Sequence, residues 1–145
     1  MEQRVSLITL GCHDLTGLAT YYEALGWTRV PTEETGIVVF DLLGQVLGLY
    51  PIEALAEDIG LPVDALGRGA ATLGYNMSSA AEVDALTAKA EAAGGTVLRA
   101  PGKVFWGGYI AYVADPEGHV WEFAHNPFSA LGPNGEFRWN GYGPD

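Results

Sequence analysis

The chain has 145 residues, of which 48% are hydrophobic and 17% charged, so it can bury the core of one ordinary domain. Its 18 acidic residues outnumber 7 Lys and Arg, a net charge of -11 that repels phosphate backbones and argues against nucleic-acid binding. The sequence shows no apolar run of membrane-spanning length and no signal-peptide pattern, and its one cysteine, Cys12, cannot form an internal disulfide. We therefore expect a cytoplasmic protein that contacts no membrane.

The first part of the chain predicts one helix and four strands. Asp14 is a candidate N-cap, apolar residues follow at helical spacing from Leu15 to Leu25, and Gly26 suits the position after the helix. The strands are predicted from apolar, β-rich runs bounded by turn residues, at 5–11, 27–30, 36–42 and 45–50.

The same order of elements returns after residues 51–69, which begin with a short helical stretch and then read as a connection. A strand at 70–77 precedes a helix that is capped by Ser78 or Ser79 and ended by Gly94 and Gly95. Three strands follow, at 96–99, 105–114 and 119–125. The last two form a hairpin through the turn 115–118, in which Pro and Gly occupy favoured places.

The internal repeat predicts an α+β fold of two βαβββ modules. We expect a single domain over 1–145, with module one at 4–50, a connection at 51–69, module two at 70–126 and a tail at 127–145. Two such modules are expected to pair their curved mixed sheets around a cleft, with the helices outside. The tail carries four aromatic residues and is expected to pack, over the cleft or against a second subunit.

Two segments carry a resemblance to a known family. The helix start HDL and the helix end YYEALGW lie within 5–27, and DPEGHVWEF lies at 115–123. These resemble the opening and closing motifs of the vicinal oxygen chelate superfamily, which includes glyoxalases, bleomycin-resistance proteins and extradiol dioxygenases. The resemblance covers about residues 4–127 and implies a small-molecule ligand and a homodimer.

The resemblance also implies a divalent metal, held by one residue from the first strand and one from the last strand of each module. Glu122 falls on one such position. The other three positions carry Leu7, Gly48 and Thr72, of which Leu7 and Gly48 have no donor atom. Since one carboxylate gives a divalent metal little affinity, we predict no metal and no other cofactor, with a divalent metal as the alternative.

Strand alternation predicts which residues line the cleft with Glu122. The parity places Tyr109, Ala111 and Val113 of the hairpin on the same face as Glu122. The predicted ligand-binding residues are Leu7, Thr9, Val39, Gly48, Tyr50, Thr72, Gly74, Asn76, Trp106, Tyr109, Ala111 and Glu122. The three histidines, His13, His119 and His125, are expected at corners and strand ends, away from Glu122.

Three functions remain open from the sequence. The first is a metal-independent protein that binds a small planar or aromatic molecule in an apolar cleft, where Tyr50, Tyr109 and Trp106 offer stacking surfaces. The second is a glyoxalase-type lyase, isomerase or dioxygenase that uses Glu122 as a ligand or as a catalytic acid or base. The third is a purely structural module whose cleft is filled by bulky side chains.

Overall fold

A computed structural model describes residue 3 and residues 5–32, 36–67 and 71–142. Residues 4 and 70, at which the two modules were predicted to begin, lie outside the described residues, as do the last three residues of the predicted tail. The chain divides into two compact units, 1–70 and 71–145. None of the described helices is long and apolar enough to cross a membrane.

In its described part, the first unit is a mixed sheet with two helices. Parallel pairing joins β1 to β3, and antiparallel pairing joins β2 to β3, so the strand order is β1-β3-β2. The elements are β1 (Leu7–Cys12), α1 (Leu15–Leu25), β2 (Val38–Asp41), β3 (Val46–Pro51) and α2 (Ile52–Ile59), followed by a short 3-10 turn at Val63–Ala65.

Helix α1 begins and ends where the sequence predicts. The Gly17 N–H donates to the Asp14 carboxylate at 2.9 Å, which satisfies one of the unpaired donors of the first turn. Gly26 ends the helix with a φ of 114°, a left-handed conformation that glycine adopts without steric cost. The buried face of the helix includes Leu18 and Tyr22, which anchor it in the core of this unit.

The predicted strand at 27–30 is wrong. Its segment forms no strand, although the Val30 N–H donates to the Val39 carbonyl at 2.8 Å. The Trp27 ring instead stacks on Tyr22, with centroids 5.1 Å apart, and packs against Phe40 at 5.5 Å. The bulky aromatic that suggested a strand is therefore a core contact of α1, because side-chain packing decides β preference more than backbone preference does.

The second unit is a four-stranded sheet in the order β4-β7-β6-β5, and its one described helix packs against β5, β6 and β7. Pairing of β4 with β7 is parallel, and the other two pairings are antiparallel. The elements are β4 (Leu73–Asn76), α3 (Ala80–Ala92), β5 (Thr96–Lys103), β6 (Tyr109–Ala114) and β7 (Val120–His125). The predicted α+β class is thereby confirmed.

The N-cap of α3, left open between two serines, is Ser79. Its hydroxyl accepts from the Glu82 N–H at 3.3 Å, and the Glu82 carboxylate accepts from the Ser78 N–H at 2.8 Å. This reciprocal arrangement satisfies two backbone donors at the helix start. Val83 and Ala90, both fully buried, then turn the apolar face of the helix toward the sheet.

Candidate functional site

The hairpin that joins β6 to β7 sets the geometry around Glu122. The Asp115 N–H donates to the His119 carbonyl, and the Gly118 N–H donates to the Asp115 carbonyl, both at 2.9 Å. Gly118 has a φ of 90°, so the connection is a three-residue loop, a turn followed by a left-handed glycine. This loop sets Ala114 opposite Val120 and therefore Tyr112 opposite Glu122.

The predicted face of β6 is wrong by one residue. Tyr109, Ala111 and Val113 pair with His125, Phe123 and Trp121, so they lie on the face opposite to that of Glu122. The prediction assumed that 115–118 formed a four-residue turn, whereas Gly118 belongs to a three-residue loop between Asp115 and His119. A shift of one residue moves every side chain of a strand to the other face.

Contacts of the misassigned residues agree with this register. The Tyr109 hydroxyl donates to the Asp84 carboxylate of α3 at 2.8 Å, so the ring lies on the helix-bearing side of the sheet. Ala111 and Val113 are fully buried. Tyr109 and Ala111 therefore do not share a binding surface with Glu122.

Tyr112 takes the place that Tyr109 was expected to fill. Its hydroxyl donates to Glu122 Oε2 at 2.7 Å, and both side chains are half-buried. The hydrogen bond to Glu122 is the main cause that raises the pKa of Tyr112 above the ordinary tyrosine range. Burial and the negative charge of Glu122 add to this effect, and the positive charge of Arg99 opposes it.

A row of four residues crosses the sheet at this level. Gly74 of β4 pairs with Glu122 of β7, which pairs with Tyr112 of β6, which in turn pairs with Arg99 of β5. A Cβ built on Gly74 would meet no atom within 4 Å, so the surface beside Glu122 is open there. The row combines an acid, a phenol and a cation on the face turned away from α3.

The remaining predicted residues of this unit have different surroundings. Asn76 pairs with Ala124 and shares the face of Glu122, whereas Thr72 lies just before β4 and outside any strand. The Trp106 ring covers Gly108, so that a Cβ there would overlap it. The rings of Trp106 and Phe128 fill the space beside Gly108 and Gly107, so the backbone there is not open to a ligand.

The five predicted residues of the first unit do lie on one face. Thr9 pairs with Gly48, which pairs with Val39. A Cβ on Gly48 would meet the side chains of Leu7 at 3.5 Å and Thr9 at 3.7 Å. Tyr50 lies at the end of this face beside Asp58 of α2, whose negative charge is the main cause that raises the pKa of Tyr50. Contact of any of these residues with a ligand stays a prediction.

The histidines make local contacts. His119 Nδ1 lies 2.8 Å from the buried Asp115 carboxylate, which also accepts from the N–H groups of Glu117 and His119. His125 Nδ1 lies 3.1 Å from the Met77 carbonyl at the end of β4. His13 is exposed and lies 3.6 Å from Glu53. Each of them thus contributes to a turn or a strand end.

The donor set does not fit the divalent metal that the resemblance implies. Glu122 has Gly74 and Tyr112 as its cross-strand neighbours, and Leu7 and Gly48 offer no donor in the first unit. Over residues 5–32, 36–67 and 71–142, no group of three or more His, Cys, Asp or Glu side chains is arranged to hold a metal ion.

Two functional candidates, Tyr112 and Arg99, were missed by sequence reasoning. Counting the loop in 115–119 as three residues, with Gly118 left-handed, would have found Tyr112. Nothing in the sequence marks Arg99, because an irregularity in β5 aligns it with Tyr112.

In each unit the chain runs in the order strand, helix, strands, and the strands form one mixed sheet. This repeated order defines a class of α+β proteins made from two copies of one module. The chain belongs to the Glyoxalase/Bleomycin resistance protein/Dioxygenase superfamily, whose family model matches residues 4–123.

Solved structures agree with this assignment. A glyoxalase-related enzyme from Fulvimarina pelagi is 36% identical, with a TM-score of 0.87 over 95% of this chain and 99% of that chain. A glyoxalase/bleomycin resistance protein/dioxygenase family enzyme from Burkholderia phytofirmans is 23% identical (TM-score 0.74; 83% of this chain and 96% of that one). Lactoylglutathione lyase from Agrobacterium tumefaciens is 21% identical (TM-score 0.64; 87% and 96%). The last two show the fold alone, and no curated protein matches the chain.

Proposed function

We propose that this protein binds a small planar or aromatic molecule, without the family metal, on the sheet face that bears Glu122. The observation that carries the proposal is the 2.7 Å hydrogen bond from Tyr112 to Glu122, on the face turned away from α3. Apolar Ile110 and Ala124 flank this polar pair on the same face. A few placed polar groups among apolar side chains are typical of small-molecule sites.

Thermal unfolding in the presence of a panel of planar aromatic compounds tests this proposal. A compound that binds the folded state raises the melting temperature by mass action. The expected shift is reduced in Glu122→Gln and Tyr112→Phe and kept in Tyr75→Phe, a control on the opposite face of the same sheet. Absence of any shift, or equal shifts in all variants, would reject the proposal and favour a purely structural module.

A second candidate is an enzyme of the glyoxalase type, a lyase, isomerase or dioxygenase, with Glu122 as acid or base. Its support is the 36% identity to a glyoxalase-related enzyme. Tyr112 holds Glu122 Oε2, and no described residue donates to Oε1, which leaves that oxygen able to accept a substrate proton. A substrate screen that includes lactoylglutathione tests it: turnover should disappear in Glu122→Gln and persist in Tyr75→Phe.

Elemental analysis tests the proposal that the protein binds its ligand without a metal. Elemental analysis of the purified protein should find less than stoichiometric Ni, Zn, Mn and Fe, since Leu7 and Gly48 occupy positions where the family supplies donors. One equivalent of any of these metals, lost in Glu122→Gln, would reject it.

The proposal also includes that the protein is a homodimer in the cytoplasm. The exposed rings of Phe128 and Trp139, which are 73% and 83% accessible in the chain, support a second copy as a partner. The single, buried cysteine, Cys12, fits a reducing compartment. Light scattering should give the mass of two chains, and a monomer at micromolar concentration would contradict the dimer.

A further inference from the structure

A bulge in β5 brings Arg99 into line with Glu122. Val97 pairs with Val113, but Arg99 pairs with Tyr112, so Leu98 is an extra residue between these pairs, and a second irregularity follows between Arg99 and Gly102. Without the bulge, Leu98 would pair with Tyr112, and Arg99 would lie on the helix-bearing face with Ala111. Bulges commonly re-aim a side chain next to a functional site.

Arg99 also differs from Arg29 and Arg138 in its contacts. Arg29 is paired with Glu23 at 2.6 Å, and the Arg138 guanidinium lies 4.4 Å from the centre of the Tyr142 ring. Arg99 makes no ion pair with any residue in the described ranges, although the chain carries a net charge of -11. A guanidinium has five N–H donors, and none of them is in an ion pair with a described residue, so they can meet a partner from outside the chain.

The spacing of the row limits the size of that partner. Adjacent strands lie about 4.8 Å apart, so the backbones at Arg99 and Glu122 are separated by about 10 Å, with Tyr112 between them. A molecule with one aromatic ring spans much of this distance. Its anionic end can meet Arg99, while a neutral hydroxyl at the other end reaches Glu122. A second anionic group at that end would be repelled by the carboxylate.

We propose that Arg99 selects the ligand, which is a planar hydroxy-carboxylate: its carboxylate pairs with Arg99 and its hydroxyl donates to Glu122. The inference rests on the proposed function and adds the chemical class of the ligand. A carboxylate is favoured over other anions because its planar pair of oxygens matches the guanidinium fork.

Three matched probes separate the two ends of the ligand. Para-hydroxybenzoate carries both groups, benzoate lacks the hydroxyl, and para-hydroxybenzamide lacks the charge. Calorimetric titration of the wild-type protein should give the tightest binding for para-hydroxybenzoate. We expect each of the other two to bind at least about tenfold more weakly, the effect of losing one charge-assisted hydrogen bond.

Variants of β5 then assign the charge to Arg99. Arg99→Gln should weaken para-hydroxybenzoate binding about tenfold and leave para-hydroxybenzamide unchanged, and Arg99→Lys should fall between. Lys103→Gln is the matched control, because Lys103 is a cation of the same strand that pairs with Tyr109. Melting temperatures of the variants verify that they fold.

The outcomes distinguish the two proposals. Equal binding of para-hydroxybenzoate and para-hydroxybenzamide to the wild-type protein, or equal losses in Arg99→Gln and Lys103→Gln, would overturn the role of Arg99. The proposed function survives that result if Glu122→Gln still weakens both compounds. If none of the three probes binds, the hydroxy-carboxylate class is rejected, and the broader aromatic panel decides whether the face binds any ligand.

Discussion

Tyr112 and Glu122 lie directly opposite each other on β6 and β7, and the phenol donates to the carboxylate at 2.7 Å. Their neighbours across the sheet are Gly74 and Arg99, so an open position and a cation flank the pair. The arrangement depends on the loop between the strands, since one residue more or less would put Tyr112 on the other face.

Replacing Tyr112 by Phe should lower the free energy of unfolding by about 0.5–1.5 kcal/mol. The phenol ring stays, but a half-buried carboxylate loses its described donor. Urea denaturation measures the change, and Tyr75→Phe, which removes an equivalent hydroxyl from a more exposed ring, should change stability less. Equal losses in the two variants would contradict a stabilising role for the Tyr112–Glu122 bond.

Gly118→Ala should destabilise the protein by about 1 kcal/mol. A Cβ at this position meets no atom within 4 Å, so the cost comes from the φ of 90° alone. Gly74→Ala is the matched control, because its Cβ is equally free of contacts and its φ is not positive. Unfolding curves that show Gly74→Ala to be as harmful as Gly118→Ala would argue against the three-residue loop.

Sequence patterns predicted the parts of this fold that depend on local signals. Asp14 and Gly26 mark the ends of α1 because each satisfies or permits a specific backbone conformation. Trp27 misled the prediction, since its ring could serve a strand or a core contact equally well. The face of Tyr112 depended on the length of one loop, where an error of one residue reverses the result.

The position of Arg99 beside Tyr112 could not be predicted from the sequence. The bulge at Leu98 contains neither glycine nor proline and follows from how β5 fits against β6. Glu122, by contrast, was found from a motif, and the pairing of its strand then identified Tyr112. A residue that a motif fixes was thus predictable from the sequence. Its partners on neighbouring strands were not, because tertiary fit decides the register of the strands.

Removal of the Asp84 carboxylate should lower the pKa of Tyr109. The hydrogen bond from the phenol to Asp84 is the main cause that raises this pKa above the usual value of about 10, with burial and the charge of Asp84 adding to it. In the native protein, the stability from this bond is fully present below the unfolded pKa and is lost as pH rises through the higher folded pKa. Assigned NMR titration of Asp84→Ala should show Tyr109 ionising at lower pH, with Tyr112 unchanged on the other face.

Asp115 should be the most sensitive residue of the closing hairpin. It is 3% exposed, and its carboxylate accepts from two backbone N–H groups while lying 2.8 Å from the His119 ring. Asp115→Ala leaves these donors unsatisfied in a part-buried turn, which should cost about 2–3 kcal/mol of stability. Asp14→Ala, which removes an exposed helix cap, should cost about 1 kcal/mol, and urea denaturation measures both changes.

Because the loop that Asp115 holds also sets Tyr112 opposite Glu122, Asp115→Ala should weaken binding of para-hydroxybenzoate, whereas Asp14→Ala should not. If the binding losses are equal, the hairpin does not position the site.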